Sequence, residues 1–331
     1  METGDGAFVT GGSGFIGGRL IGRLTREGIR VRALVRSDAS AATVEAAGAE
    51  PVRGDLTDED AMRSGAEGCG YAFHCAAKVE DWGDPKDFDD INVEGTKRAL
   101  RATQAAGVRK FVHVGTEAAL LAGDPLINAD ESAPLRPDSK SLYPKTKAQA
   151  ERAVRDATAD GFDTAVVRPR FVWGPGDATV LPTLMDAVES GKFAFIGGGT
   201  HRTSTTHVDN AVEGMILAAD KGKPGAAYFV TDGDPIVFRE WIGKLLATQG
   251  VEAPDKSIPR RAAAALAAAG ETAYRVLPLK GPPPLTRMTY YVTGLECTLD
   301  DSAARRDLGY APVVTREQGL EALAAERDGQ S

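Results

Sequence analysis

The stretch "VTGGSGFIGGRL", residues 9–20, sets Gly11, Gly14 and Gly17 between a short β-branched run and an apolar, helix-like one. In a chain with 38 glycines, three at a suggestive spacing prove little by themselves. A dinucleotide fingerprint must also follow a strand and open a helix. Here "AFVT" precedes the glycines, and a helix from about Phe15 to Glu27 follows them. Glycines let a backbone come close to a pyrophosphate, and a helix N-terminus offers unpaired N–H groups and a favourable dipole. The competing interpretation is a plain strand-to-helix turn, and the rest of the chain must decide between the two.

Outward from this stretch, short strand-like runs alternate with longer helical patterns. "VRALVR", "EPVRGDL", "YAFHCAA", "KFVHVGT" and "DTAVVRP" are separated by helices near 58–67, 88–106 and 143–158. Such alternation predicts βαβ units: an α/β, Rossmann-type, doubly wound parallel sheet whose ligands lie beyond the carboxyl ends of the strands. After Pro169 the pattern loosens. "STTHV" (204–208) reads as a strand returning to the main sheet, and "AAYFVTD" (226–232) as another. From Phe238 the text is mostly helical, with a proline-rich loop "KGPPPLTR" at 280–287. The expected division is a dinucleotide-binding domain of residues 1–170 plus about 203–230. About 171–202 and 231–331 then form a smaller, discontinuous substrate lobe.

The 331 residues, 42% hydrophobic and 26% charged, describe an ordinary globular protein. A net charge of −8 argues against a nucleic-acid partner, since no basic excess is present to neutralise phosphates. Cys69, Cys75 and Cys297 form neither a metal-type pair nor an even disulfide set, so a reduced, cytoplasmic protein is expected. "METGDGAFVTGG" lacks the basic and apolar regions of a signal peptide. "AAAALAAAG" (262–270) falls short of the ~20 residues a membrane span needs, so no stable insertion is expected.

The second strand ends "VRALVRSD", where an acid usually bonds the ribose 2′-hydroxyl of NAD. Arg36 and Ser37 stand there instead. A guanidinium suits a 2′-phosphate, so NADP is favoured, although Asp38 leaves NAD open. Asp55 in "GDLTD" is placed to accept from an adenine amino group; a helix N-cap competes, with Asp58 better placed for that task. Cys75, Ala76 and Ala77 in "FHCAAK" give a small-residue strand end that lets the backbone pass beneath a ribose, or simply lets a helix pack tightly. Thr116 after "FVHVG", with Tyr143 and Lys147 in "YPKTK", decides the chemistry. Residues four apart share a helical face. A phenol with its ordinary pKa near 10 is a poor proton shuttle, and a nearby ammonium with an oxidised nicotinamide would lower it. The Thr116 hydroxyl can hold the reacting oxygen.

These motifs resemble the extended short-chain dehydrogenase/reductases over almost the whole chain. The resemblance rests on Gly11–Gly14–Gly17, "GDL", "HCAA", "INVEGTKRAL", Thr116, Tyr143–Lys147, "RPRFVWGPGD", "THVDNAVEGM" and "DSAARRDLGYAP". Through "KVEDWGD", "GTEAALLAG" and "PPPLTR", the nearest branch is that of the 3β-hydroxysteroid dehydrogenases and dihydroflavonol reductases. By position, the resemblance makes Tyr143 the acid/base and Lys147 its electrostatic, ribose-binding partner. Thr116 orients the carbonyl and Asn92 supports the site. Pro169 and Val172 line the nicotinamide, and Ser13, Phe15, Ile16 and Leu56 complete the cofactor site. It also implies a homodimer through the Tyr143 helix. Related nucleotide-sugar epimerases usually carry Asn near Phe171, and its absence leaves room for an apolar substrate.

The expected activity is therefore a nicotinamide-dependent interconversion of a secondary alcohol and a ketone on an apolar small molecule, steroid-like or flavonoid-like. The alternatives are a nucleotide-sugar epimerase or dehydratase, for which Arg202 and Arg305 could serve a diphosphate, and a non-catalytic dinucleotide sensor. No spacing suggests a metal site. His74 and His113 read as packing residues, His207 as a lobe-junction residue, and Trp82 and Trp173 as core rather than pocket walls.

Overall fold

The computed structural model describes residues 5–277 and 281–330. Lys280 of the proline-rich loop and the first four residues of the stretch read for a leader lie outside them.

Seven strands form the main sheet: β1 (Gly6–Thr10), β2 (Val31–Val35), β3 (Glu50–Arg53), β4 (Cys69–His74), β5 (Lys110–Val114), β6 (Asp163–Arg168) and β7 (Ala226–Phe229). Their spatial order is β7-β6-β5-β4-β1-β2-β3, and every pairing is parallel. The order reverses between β1 and β4, which is where a doubly wound sheet opens a crevice for a ligand.

The sequence dictates this burial on both faces. Along β1, Ala7 and Val9 join one core with Leu20, Leu24, Val212 and Met215, while Phe8 joins the other with Met62, Leu100 and Phe111. Helix α1 (Phe15–Arg26) buries Leu20, Ile21 and Leu24, positions one turn or one residue apart, and carries Arg23 and Arg26 in its last turn, where cations suit the dipole. Helices α2 (Asp38–Ala46), α3 (Glu59–Ala66), α4 (Gly95–Ala105), α5 (Leu142–Asp156) and α6 (Val208–Lys221) complete the covering layers.

Two features depart from the sequence reading. Residues 204–208 do not return to the main sheet. Arg202–Thr203 instead joins a four-stranded sheet with Ile236–Val237, Cys297–Leu299 and Leu126–Ala129, and Thr206–His207 pairs with Val172–Trp173. Thr203 through Thr206 are fully buried; the three threonine hydroxyls donate to the Ser204 carbonyl, the Asp232 carboxylate and the Val230 carbonyl, and the Ser204 hydroxyl accepts from the Leu299 N–H, so polar residues fill a strand-like run away from the sheet. The expected helix at 88–106 is also interrupted. A π-helical turn, Asp89–Glu94, precedes α4. Such turns re-aim a side chain within a helix, and this one carries Asn92.

A separate apolar cluster built on Trp173, Phe195, Phe238, Trp241 and Leu245 lies among the C-terminal elements. Trp173 is core, as read, and donates from Nε1 to Asp232 at 2.7 Å. Trp82 is not core. It stands edge-on to Tyr274 and, with Asp81 and Pro282, lines an open cavity of about 580 Å³ over the loop that follows β4. Among the described residues, no helix is long and apolar enough to cross a membrane, and no cluster of His, Cys, Asp or Glu could hold a metal.

Candidate active site

The candidate residues converge on the carboxyl ends of the strands. Gly11, Ser13, Gly14, Phe15, Ile16 and Gly17 form the β1–α1 turn. Arg36 and Ser37 follow β2, Asp55 and Leu56 follow β3, Cys75, Ala76 and Ala77 follow β4, and Pro169 follows β6. Val172 lies in the short strand just beyond.

The turn has the shape a pyrophosphate requires. Gly11 has φ +72°, and a Cβ there would stand 2.5 Å from the Ala76 nitrogen. A Cβ on Gly17 would stand 2.2 Å from the Gly11 carbonyl, whereas Gly14 meets only that carbonyl, at 3.3 Å. Two glycines thus permit close backbone packing and the middle one leaves an open side. Gly14 is also the N-cap of α1 and offers no side chain to the first-turn N–H groups. These donors and this open side fit a nicotinamide dinucleotide. Gly17→Ala is expected to cost about 1–3 kcal/mol through overpacking and to weaken dinucleotide binding; denaturant unfolding and cofactor titration would show both.

At the ribose end, Arg36 is exposed and makes no hydrogen bond or ion pair among the described residues. Asp38 is engaged by Arg53 at 2.5 Å, and the Ser37 hydroxyl caps α2 by accepting from the Ser40 N–H at 3.2 Å. Asp55 spends Oδ1 on the Thr57 hydroxyl and N–H, which hold its carboxyl below the usual range, with the Arg36 and Arg98 charges adding to this. Asp58 caps α3, accepting from the Ala61 N–H at 2.9 Å.

Thr116, Tyr143 and Lys147 come together where β5 meets α5. Pro144 stands in the first turn of α5, where no intrahelical N–H is needed, and the next turn brings Lys147 onto the Tyr143 face. Lys147 is 2% exposed; its ammonium donates to the Val114 carbonyl at 2.7 Å and to His113 Nε2 at 3.0 Å. Burial pushes it down to about 8, opposed by the Glu151 carboxylate and the Cys75 sulfur. His113, which reads as packing from sequence, therefore touches the candidate lysine. Burial and Lys147 hold it neutral, so Nε2 accepts from the ammonium, and its buried Nδ1 has no partner. His74 stacks on His113 at 5.4 Å between the Thr10 and Thr96 hydroxyls.

The Thr116 hydroxyl lies near the Tyr143 phenol and favours its ionised form. The phenol differs from the sequence expectation. Burial first, then the Glu117 carboxylate, push it above its ordinary value, outweighing the Thr116 hydroxyl. The Lys147 ammonium is directed at His113 and Val114 instead. In the protein alone Tyr143 is thus a protonated acid. Asn92, 1% exposed, donates to the Thr146 hydroxyl at 3.0 Å and exchanges hydrogen bonds with the Lys78 backbone at 2.7 and 3.1 Å. It ties the loop after β4 to α5.

Phe171 adopts the left-handed conformation, φ +43°, a region in which Asn is far more at ease than Phe. Its ring packs against Phe238 at 6.0 Å, so contact offsets backbone strain at this point. The cations that a diphosphate would need are committed elsewhere. Arg202 donates to the Pro235 carbonyl and Arg305 forms a two-bond pair with Asp301. His207 accepts from the Asp209 N–H and donates its own N–H to Asp232, the carboxylate that Trp173 and Thr205 also address.

With this geometry in place, residues 8–260 match the 3-beta hydroxysteroid dehydrogenase/isomerase family. The chain belongs to that family. It is 46% identical over 316 residues to a 4-hydroxy-2-methyl-3-oxo-4-farnesyl-3,4-dihydroquinoline-1-oxide ketoreductase of Stigmatella aurantiaca, covering 96% of this chain and 95% of that one. A 2-alkyl-3-oxoalkanoate reductase of Stenotrophomonas maltophilia is 36% identical, over 96% and 98% of the two chains. The dTDP-glucose 4,6-dehydratase of Streptomyces venezuelae, solved with NAD, superposes with a TM-score of 0.75 at 23% identity, over 97% of this chain and 96% of that one. That likeness establishes the extended short-chain fold alone. This member of the family is a nicotinamide-dependent oxidoreductase.

Proposed function

We propose that the chain reduces a ketone to a secondary alcohol on a largely apolar substrate, with NADPH as the preferred reductant. The observation that carries this is the convergence of the half-buried Tyr143, the Thr116 hydroxyl and the buried Lys147 ammonium at the carboxyl end of β5 and the first turns of α5. A dinucleotide held by the Gly11–Gly14–Gly17 turn would supply the hydride for the carbonyl carbon. Tyr143 gives the carbonyl oxygen its proton, Thr116 fixes that oxygen's position, and Lys147, supported by His113 and Glu151, holds the ribose. Asn92 keeps α5 in register with the loop after β4. The two relatives named above, both reductases of a 3-oxo group on a molecule with an alkyl or prenyl substituent, support the substrate class. The family name supports a steroid as the other choice. Arg202 and Arg305, engaged within the protein, speak against a nucleotide sugar. The family resemblance further supports a cytoplasmic homodimer through α5, and a substrate lobe drawn from about 171–202 and 231–331.

The test is reduced-nicotinamide absorbance with 3-oxo steroids, 2-alkyl-3-oxo acids and prenylated quinolones, each offered with NADPH and NADH. Oxidation of the cofactor with none of them would remove the reductase reading. The NADPH preference rests on Arg36, whose guanidinium is free to meet a 2′-phosphate. Arg36→Ala is expected to raise the KM for NADPH about tenfold or more, the loss of one charge-assisted contact, with the KM for NADH nearly unchanged. Equal effects on both cofactors would refute the assignment.

A further inference from the structure

The loop after β4 is tied at both ends, and its outer tie is an acid bonded to a helix that shares an apolar cluster with Tyr143. At the base, Asn92 exchanges hydrogen bonds with the Lys78 backbone and donates to Thr146 on α5. Three positions on, Asp81 meets the first turn of the helix Arg287–Gly294. Its Oδ2 accepts the Thr286 hydroxyl at 2.8 Å and the Thr289 hydroxyl at 2.9 Å. Thr286 is 2% exposed and is the N-cap of that helix, accepting the Thr289 N–H at 3.0 Å. A carboxylate placed there also meets the favourable end of the helix dipole. Trp82, the next residue of the loop, stands edge-on to Tyr274, and the Arg275 guanidinium lies 5.6 Å from its ring centre.

The helix Arg287–Gly294 is a wall of the candidate site. Tyr291 forms an apolar cluster with Ala118 and Leu121, just past Thr116, and Tyr143, Met288 and Tyr290 pack against it. The far end of this wall is pinned without Asp81. Arg170, buried and paired with Glu117, donates from Nη2 to the Val292 carbonyl at 3.0 Å, and Arg260 Nε donates to the Gly294 carbonyl at 3.1 Å. The near end is held by two carboxylates. Glu271 accepts the Arg287 N–H at 2.7 Å and pairs with the Arg287 guanidinium, but it belongs to the preceding helix, Arg260–Val276. Asp81 comes from the main sheet instead. Its two bonds therefore link the Met288 end of the wall to the loop that Asn92 ties to α5.

We propose that Asp81 is a positioning residue that sets substrate specificity in the ketone reduction proposed above: it clasps the helix Arg287–Gly294 to the loop after β4 and so fixes the width of the apolar pocket beside Tyr143. This rests on that reading of the reaction. Asp81 touches no reacting atom and acts through Met288 and Tyr291. The contacts close a ring around the pocket. Asn92 joins Thr146 of α5 to Lys78, two residues lead on to Asp81, and Asp81 holds the helix whose Tyr291 returns to the Tyr143 cluster. Opening the ring at Asp81 widens the pocket and leaves the Gly11–Gly14–Gly17 turn as it is. A broad fused-ring ketone then gains relative to a slim alkyl ketone, which loses its contact with the wall.

The experiment compares wild type, Asp81→Asn, Asp81→Leu and Thr289→Val with a 2-alkyl-3-oxo acid and a 3-oxo steroid at saturating NADPH. Asp81→Asn keeps an oxygen that can accept both hydroxyls, so its kinetics should stay near wild type. Asp81→Leu removes the acceptor of both bonds; the KM for the alkyl ketone should rise about fivefold or more, with kcat and cofactor affinity little changed. The ratio of kcat/KM for the steroid to that for the alkyl ketone should rise with it. Thr289→Val should move the ratio the same way and add little on top of Asp81→Leu, because both open one clasp. Acrylamide quenching of Trp82, taken as the difference from the matching Trp82→Phe proteins, reads the loop without turnover. It should increase in Asp81→Leu and not in Asp81→Asn. Where Asp81→Leu does not fold, Thr289→Val, which leaves the acid and the helix cap in place, is read in the same way. An unchanged ratio or unchanged quenching in the folded variant would overturn the inference, even if melting temperature falls. Reduction of neither ketone by the wild type would count against the reaction instead, and the quenching comparison would still decide the clasp.

Discussion

Tyr143→Phe is expected to lower kcat for ketone reduction by about 10²–10⁴-fold, the usual contribution of a positioned general acid. Cofactor affinity and melting temperature should stay near wild type. The argument rests on how little else the substitution touches. The ring remains packed with Ala118, Leu121 and Tyr291, so the apolar contacts of this pocket survive. The Lys147 ammonium does not depend on the phenol for its hydrogen bonds, because it is held by Val114 and His113. Thr116 keeps its bonds to Glu117 and Ala118. What disappears is the phenolic hydroxyl proposed to protonate the carbonyl oxygen. Steady-state rates at saturating cofactor, with dinucleotide binding followed separately, separate the two effects. A variant that retains most of its turnover would show that another group supplies the proton, and Tyr143 would become a substrate-packing residue.

The fold was legible because its signals are local. The glycine turn, the capping acid Asp58 and the alternation of strand and helix act over a few residues, where propensity and periodicity carry the information. The candidate triad was legible for a similar reason: Tyr143 and Lys147 are one turn apart, and Thr116 ends a strand. What escaped was set by side-chain direction across the sheet. His113 alternates within an apolar strand like any core residue, and only the neighbouring β4 and α5 turn it towards Lys147. Glu117 and Arg170 are separated by 53 positions, so no window of sequence joins them. Residues 204–208 look like a returning strand because threonines favour extended backbone. Their hydroxyls are satisfied by the local chain and by Val230 and Asp232, which keeps them out of the main sheet. Nor could any local window show that Arg53, from β3, pairs with Asp38 on the surface.

The second large effect expected is on stability. Glu151→Gln should cost about 3–5 kcal/mol, the typical result of orphaning one member of a buried ion pair. Glu151 and Arg168 are both fully buried, with Arg168 Nε 3.0 and 3.1 Å from the two carboxylate oxygens and Nη2 on one of them. Arg168 also lies over the Phe229 ring at 5.1 Å, so the pair ties α5 to β6 and β7 at one edge of the sheet. Removing the carboxylate leaves a guanidinium with no water to receive it. The same change reaches the active site, because Glu151 is one of the two groups that raise Lys147 against burial. Without it the ammonium should lose its proton below about pH 8, the value it has now. The variant's activity should then fall earlier as pH rises, since the charged lysine is the form present on the acid side of that value. Denaturant unfolding and a pH–rate profile measure the two effects independently. Glu151→Gln/Arg168→Met, which removes both charges, should recover most of the lost stability and leave the Lys147 shift in place. If the double variant is as unstable as the single one, packing of the Arg168 side chain rather than the ion pair holds α5 to the sheet. If the single variant costs under about 1 kcal/mol, the range of an exposed pair, the site is wetter than the structure implies. The low pKa of Lys147 would then lose its cause as well.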